Sequence, residues 1–354
     1  MKTIVLTGGG TAGHVMPHLA LIPRLMSDGW NIHYIGTENG IERNIIEKID
    51  GVAYHSVKSG KLRRYFDIKN FTDPFRVIAG CGEAFSLMGK LKPNVVFSKG
   101  GFVSVPVAAA AGLRGIPLVL HESDMTSGLS NKLSMPFAKA ICTTFPETAK
   151  QLGHKAVPSG TPLRPALFEG DRQRGLKTFG FSGNKPVLLV TGGSLGAVSV
   201  NTALRKELPL LGAFDILHLC GKGNTDEELL ERGGYVQREF LHDEMADAYA
   251  MADVILSRAG SNTICEILAM AKPNVLIPYP ATASRGDQID NASSFERRGF
   301  SKVLLQENMT PGSISRDIFD VYNRRGQYID AMKAEPLANG VDIVLEQIYK
   351  YAKK

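Results

Sequence analysis

The chain has 354 residues, 44% of them hydrophobic and 21% charged, with a formal net charge of +6. This length accommodates two domains of ordinary size, each with its own core, and the composition excludes a disordered chain. The four cysteines, Cys81, Cys142, Cys220 and Cys265, stand far apart with no C-x-x-C pair; that argues against a structural zinc site or a disulfide framework and fits a reducing compartment.

In chain order, MKTIVLTGGG lacks a basic region followed by an apolar one, so no signal peptide is expected. TIVLTGG reads as a strand, and Gly8, Gly10 and Gly13 of TGGGTAGH satisfy G-x-G-x-x-G, the fingerprint of a dinucleotide-binding turn. HLALIPRLMSDG is an amphipathic helix ended by Gly29, and NIHYIGT is a second strand. Residues 1–160 carry 18 Lys/Arg against 11 Asp/Glu, a net +7, whereas the remainder nets −1. The basic character is densest in Gly60–Ile78, where Lys61, Arg63, Arg64, Lys69 and Arg76 alternate with Tyr65, Phe66, Phe71 and Phe75. Such a stretch is either a solvated helix with aromatic core contacts or a surface that meets an anionic membrane. No nucleic-acid motif accompanies it.

NVVFSKGG and IPLVLHE are later strands, and VSVPVAAAAGLRGIPLVL is broken by Pro106, Arg114 and Pro117 before it spans a bilayer. A stretch rich in Pro and Gly at about 158–171 reads as a boundary. The same grammar then restarts with KPVLLVTGGSLGA, FDILHLCGKGN, DVILSRAGS and PNVLIPYP, and ends on an amphipathic helix, VDIVLEQIYKYAKK. Nearly continuous apolar strands are those of parallel sheets covered on both faces, so two doubly wound α/β domains are expected. Each Gly-rich turn falls at a strand's carboxyl end, where open α/β sheets bind ligands.

His14 follows the last glycine of its loop and is expected in the first helical turn. A helix N-terminus disfavours an imidazolium, which suits a neutral ring able to accept a proton. In HESD, Glu122 or Asp124 is either part of a strand-end hydrogen-bond cluster or a binder of sugar hydroxyls. In SRAGSNTICEILA, Glu266 lies at i+3 from Thr263 on one helical face, and a carboxylate there suits the paired hydroxyls of a ribose. ASRGDQIDNA, with Asp287 and Gln288, reads as a loop before a helix. No D-x-D is present, so a site without metal, its leaving diphosphate held by a helix N-terminus and Arg164, is the expectation.

TGGGTAGH, SKGGFVSVP, HES, GGSLGA and SRAGSNTICE occur in order over essentially the whole chain. Together they closely resemble the MurG family, N-acetylglucosaminyltransferases that convert lipid I to lipid II in peptidoglycan synthesis. The resemblance implies a GT-B fold, two Rossmann-like domains facing across a cleft. Residues 1–160 would receive the lipid-linked acceptor and meet the membrane, 165–338 would hold UDP-GlcNAc, and the helix at about 340–354 would pack back on the first domain. It implies one inverting displacement with no cofactor, in which the 4-hydroxyl of the acceptor's MurNAc attacks C1 and UDP leaves, at the cytoplasmic face of the cell membrane.

Carried over by position, His14 is the leading base or acceptor-orienting residue. Thr11, Ala12 and Gly13 would lie by the sugar, and Arg164 and Ser194 by the diphosphate. Glu266 with Thr263 would hold the ribose, Gln288 and Asp124 the sugar hydroxyls, and the backbone near Leu241 the uracil. Gly10, Gly100, Gly101 and Glu122 would form the acceptor loops, and Arg63, Arg64, Lys69, Phe71, Phe75 and Arg76 the membrane contact. The chain departs from the family at Asp124, Leu195 and Asp287, where asparagine and two glutamines are common. The rival readings are a diacylglycerol glycosyltransferase, a nicotinamide oxidoreductase using Glu38, and a non-catalytic UDP-sugar binder.

Overall fold

The computed structural model describes residues 2–60, 69–193, 196–282, 286–336 and 339–354, the side chains of Ala12 and residues 69–75 excepted. Contacts divide the chain into two units, Met1–Arg164 with Asn339–Lys354, and Pro165–Ala338.

In the first unit seven parallel strands form one sheet: β1 Thr3–Thr7, β2 Asn31–Gly36, β3 Val52–Ser56, β4 Val95–Ser98, β5 Leu118–Glu122, β6 Ala138–Thr143 and β7 Ala156–Pro158, in the order β3-β2-β1-β4-β5-β6-β7. The central strands β1, β4 and β5 are largely apolar and buried because helices cover both faces. Ile4, Leu6, Ile32 and Tyr34 pack under Leu21 and Leu25 of the helix Ala12–Ser27. Val5, Ile35, Val96 and Leu120 face Ala84 and Met88 of the helix Lys69–Leu91 and Val107, Ala108 and Ala111 of Ser104–Leu113.

The helix Val341–Tyr351 belongs to this unit. Its Val344, Leu345 and Ile348 enter the first core, and Tyr349 stacks on Trp30 with centroids 5.7 Å apart. Its entry is fixed by the Gly340 N–H, which donates to the Thr161 carbonyl at 2.9 Å.

In the second unit, six parallel strands follow the same plan: β8 Val187–Thr191, β9 Asp215–Leu219, β10 Tyr235–Arg238, β11 Val254–Ser257, β12 Asn274–Leu276 and β13 Lys302–Val303, ordered β10-β9-β8-β11-β12-β13. One face packs against Val200, Leu204, Ile314 and Ile318, the other against Leu176, Phe179, Met251 and Ile267. The strand order reverses between β1 and β4 in one sheet and between β8 and β11 in the other. Each reversal opens a crevice at the carboxyl edge where a ligand can enter. The four glycine turns after those strands flank the two crevices in pairs.

One expected loop is a helix. Asp287 and Gln288 open the helix Asp287–Arg297. Gly286, with φ +81°, turns the chain into it, and the acidic residues of the first turn complement its dipole. Asn291, Ala292, Ser294 and Phe295 supply a buried face that outweighs the polar composition of the segment.

Candidate functional site

In the first unit, β1 runs into Gly8–Thr11 and then the helix Ala12–Ser27. Thr11 caps the helix in extended backbone, and its Oγ1 lies 3.0 Å from His14 Nδ1. His14 sits in the first helical turn, half-buried, beside exposed Thr11 and Gly13; the side chain of Ala12 lies outside the described residues. The three preceding glycines have three different causes. A Cβ on Gly8 would lie 3.0 Å from His18 Nε2, and one on Gly9 would lie 2.5 Å from Glu42 Oε1. Only Gly10, at φ +87°, faces open space. The expected room for a ligand therefore narrows to one glycine, and the other two accommodate the protein's own side chains.

The loop after β4 touches this one: a Cβ on Gly101 would collide with the Gly9 carbonyl. The N–H groups of Gly100 and Gly101 donate to Ser98 Oγ and Ser130 Oγ, each at 3.2 Å. Between them and β5 lies a buried cation that the sequence reading did not single out. Lys99, 1% exposed, donates through Nζ to His121 Nδ1 at 2.9 Å and to Ser123 Oγ. His121 Nε2 faces the Gly160 carbonyl at 2.9 Å, so this ring donates at Nε2 and accepts at Nδ1. Burial first, and then the Lys99 ammonium, hold His121 well below the ordinary histidine range. The one signal for Lys99 was a lysine ending an apolar strand immediately before two glycines.

Glu122, at the end of β5, is a hub of the following turn. Its Oε1 accepts from the N–H groups of Ser123 (2.9 Å) and Asp124 (3.2 Å), and its Oε2 from Gly128 N–H (3.2 Å) and Asn131 Nδ2 (2.9 Å). Burial raises its pKa, with the Asn131 bond opposing. Asp124 is half-buried in the same turn, and Arg164 is half-buried at the end of the first unit.

In the second unit the helix Ser261–Ala269 starts at the β8/β11 crevice with its positive dipole end. Thr263 and Glu266 are half-buried one turn apart. The buried Tyr249 hydroxyl donates to Glu266 Oε2 at 2.8 Å and orients the carboxylate. Gln288 Oε1 accepts from Ala259 and Tyr279 N–H groups at 3.2 Å each. Leu241 is half-buried, its side chain packed against the second unit's core. Ser194 and Leu195 lie outside the described residues.

Arg258 is a second buried cation the sequence reading passed over, in the middle of the SRAGS motif. Buried under that turn, its guanidinium donates to the Ile277 and Pro278 carbonyls at 3.0 Å each, to Ser199 Oγ at 2.9 Å and to Gln306 Oε1 at 2.7 Å, and lies over the Tyr279 ring. It ties the ends of β11 and β12 to the first turn of the helix Val198–Glu207. Among the described residues, no group of three His, Cys, Asp or Glu is placed to hold a metal ion.

Arg63 and Arg64 of the expected membrane contact, and the side chains of Lys69, Phe71 and Phe75, lie outside the described residues. Arg76 is exposed on the helix Lys69–Leu91. Beyond it come exposed apolar side chains outside or at the margin of the expected stretch: Ile78 (69%), Phe85 (40%) and, on the adjacent helix, Leu113 (74%). Arg114 lies 3.8 Å over the Phe85 ring. No helix among the described residues is long and apolar enough to cross a membrane.

The profile of the glycosyltransferase family 28 N-terminal domain matches residues 4–143, and that of the family 28 C-terminal domain matches 187–348. A Clostridium kluyveri protein named UDP-N-acetylglucosamine--N-acetylmuramyl-(pentapeptide) pyrophosphoryl-undecaprenol N-acetylglucosamine transferase is 53% identical over 353 residues, covering 99% of this chain and 100% of its own. A Clostridium botulinum protein of the same name is 50% identical, with both chains covered in full. Among solved structures, that of Acinetobacter baumannii MurG aligns over 99% of this chain and 100% of its own, with a TM-score of 0.78 and 25% identity. With each family profile seated on its own parallel sheet, and identity of one half or more sustained along entire relatives, the chain belongs to glycosyltransferase family 28.

Proposed function

We propose that this protein transfers N-acetylglucosamine from UDP-GlcNAc to the 4-hydroxyl of the MurNAc-pentapeptide of lipid I, giving lipid II. The observation that carries this reading is the full-length identity of 53% to a relative named for that transfer. The pair of carboxyl-edge crevices supports it, because a nucleotide-sugar donor and a diphosphate-bearing acceptor call for two such sites.

In this reading the second unit holds the donor. Glu266, oriented by Tyr249, accepts the ribose hydroxyls beside Thr263. The N-terminus of Ser261–Ala269, with Ser194 and Arg164, stabilises the diphosphate as charge develops on it. The NH2 of Gln288 and the carboxylate of Asp124 meet sugar hydroxyls, and the Leu241 backbone meets the uracil. In the first unit, His14 takes the proton of the attacking 4-hydroxyl. C1 gains that oxygen as it loses the diphosphate oxygen, so the anomeric centre inverts. The reaction proceeds without a metal ion.

The test is transfer of labelled GlcNAc from UDP-GlcNAc to a short-chain lipid I analogue, with and without EDTA. Turnover that survives EDTA and yields a β-linked product is expected. Binding of UDP-GlcNAc without transfer to lipid I would remove the acceptor assignment.

The exposed Ile78, Phe85 and Leu113 with Arg76 and Arg114 suit an anionic membrane surface, aromatic and aliphatic groups entering the interface and guanidinium groups meeting headgroups. Replacing Ile78, Phe85 and Leu113 together by serine is expected to weaken binding to vesicles containing anionic lipid by about tenfold or more. Co-sedimentation unchanged from the parent protein would make this ordinary surface.

A further inference from the structure

Three glycines in the first unit surround one acidic side chain. A Cβ on Gly9 would lie 2.5 Å from Glu42 Oε1, one on Gly36 would lie 2.8 Å from Glu42 Cγ, and one on Gly40 would collide with the carboxylate. Glu42, on the short helix Ile41–Ile46, is fully buried. Its Oε1 accepts from Thr37 N–H at 2.9 Å and Thr37 Oγ1 at 2.6 Å, and its Oε2 accepts from Gly10 N–H at 3.2 Å. Among the described residues no Lys or Arg pairs with it.

A glycine turn leading from a strand into a helix ordinarily directs its amides at a bound phosphate. Here the protein provides the anion itself, and the Gly10 amide is spent on it. Two tyrosines complete the frame. The Tyr34 hydroxyl donates to the Gly8 carbonyl at 2.7 Å, the Tyr54 hydroxyl donates to the Thr37 carbonyl at 2.5 Å, and the two rings stack 6.0 Å apart. The loop Gly8–Gly10 is thus held from the β2 side at two points immediately before Thr11 and His14.

Resting on the function proposed above, we infer that Glu42 is a positioning residue: it locks the first glycine loop so that the Thr11–His14 pair meets the acceptor hydroxyl, and it withholds the Gly10 amide from the substrate's diphosphate. A carboxylate is needed because both oxygens accept. Glutamine keeps one acceptor for Thr37 and turns an NH2 against the Gly10 N–H.

Two variants test this from opposite sides. Glu42→Gln breaks the Gly10 link directly. Gly40→Ala, at a backbone φ of −84° that alanine adopts, displaces the carboxylate from outside the loop. Each is expected to lower kcat for transfer by about tenfold or more and to leave KM for UDP-GlcNAc within about twofold. Adding His14→Ala to Glu42→Gln should cost nothing beyond His14→Ala alone, since Glu42 acts through that residue. Amide exchange across residues 8–14 should quicken in both variants.

A kcat within about twofold of the parent, a parallel rise in donor KM, or independent, multiplicative losses in the double variant would overturn the inference. Should the parent protein itself fail to transfer GlcNAc, the function falls separately, and exchange in residues 8–14 still decides: unchanged rates in Gly40→Ala overturn the role of Glu42. That variant also carries the test if Glu42→Gln does not fold.

Discussion

Replacing His14 by alanine is expected to lower kcat for GlcNAc transfer by about 10²–10⁴-fold, the range for loss of a general base, while UDP-GlcNAc affinity stays near that of the parent. His14 stands in the first turn of Ala12–Ser27, with Nδ1 held 3.0 Å from Thr11 Oγ1. That contact fixes the ring's orientation. Of the proposed donor groups, Glu266, Thr263 and Gln288 are carried by the other unit, and Asp124 and Arg164 by separate loops of the first, which is why donor binding should be spared. Initial rates against each substrate, with calorimetric titration of UDP-GlcNAc, separate the two effects. A loss of less than about threefold would take the proton-transfer role away from His14.

The second large effect is on stability below neutral pH. His18 and His121 in the first unit and His218 in the second are all fully buried. Burial, reinforced by Lys99, lowers His18 to about 3 and His121 well below its ordinary value; burial and then Arg205 lower His218 to about 3. These rings are neutral when folded and take up protons when unfolded once the pH passes below about 6.5. Their stabilising contribution is therefore present above pH 6.5 and is lost as the pH falls. Two protons correspond to about 2.7 kcal/mol per pH unit for the first unit, and one proton to about 1.4 for the second.

His33 and His55, half-buried and 3.0 Å apart, are also lowered and add to the first unit's loss; the raised pKa of Glu122 opposes it only nearer the carboxylate range. Calorimetry between pH 6.5 and 5 should show the first unit losing stability more steeply than the second. His18→Phe, which keeps a ring packed edge-on to Tyr34 and Phe97, should reduce that steepness by about one proton. Equal slopes for both units, or a slope unaltered in His18→Phe, would mean that these histidines are not held neutral.

Legibility differed by scale. Strands such as TIVLT and VLLVT announce themselves because both faces are covered, so the apolar run is nearly continuous, and the glycine turns after them mark where ligands approach. The segment at 283–292 misled because the face that makes Asp287–Arg297 a helix is built from Asn291, Ala292, Ser294 and Phe295. Only Phe295 among these is strongly apolar, so periodicity carried little signal. In the same way, the contact of Arg114 with the exposed Phe85 ring joins residues from two elements, a juxtaposition no linear window contains.

By itself, the sequence determined the class of fold, the two sets of carboxyl-edge loops and the family those loops resemble. All of these depend on short contiguous patterns, in which local backbone geometry and burial on both strand faces are written within a few residues. The tertiary structure alone decided which groups complete each loop. It brought Glu42 beneath Gly9 and Gly10 from 32 positions away, Lys99 against His121 across two strands, Tyr249 onto Glu266, and Val341–Tyr351 back onto Trp30. The physical reason is that buried polar groups must find partners wherever the chain folds back to offer them, and spacing along the sequence does not encode that return.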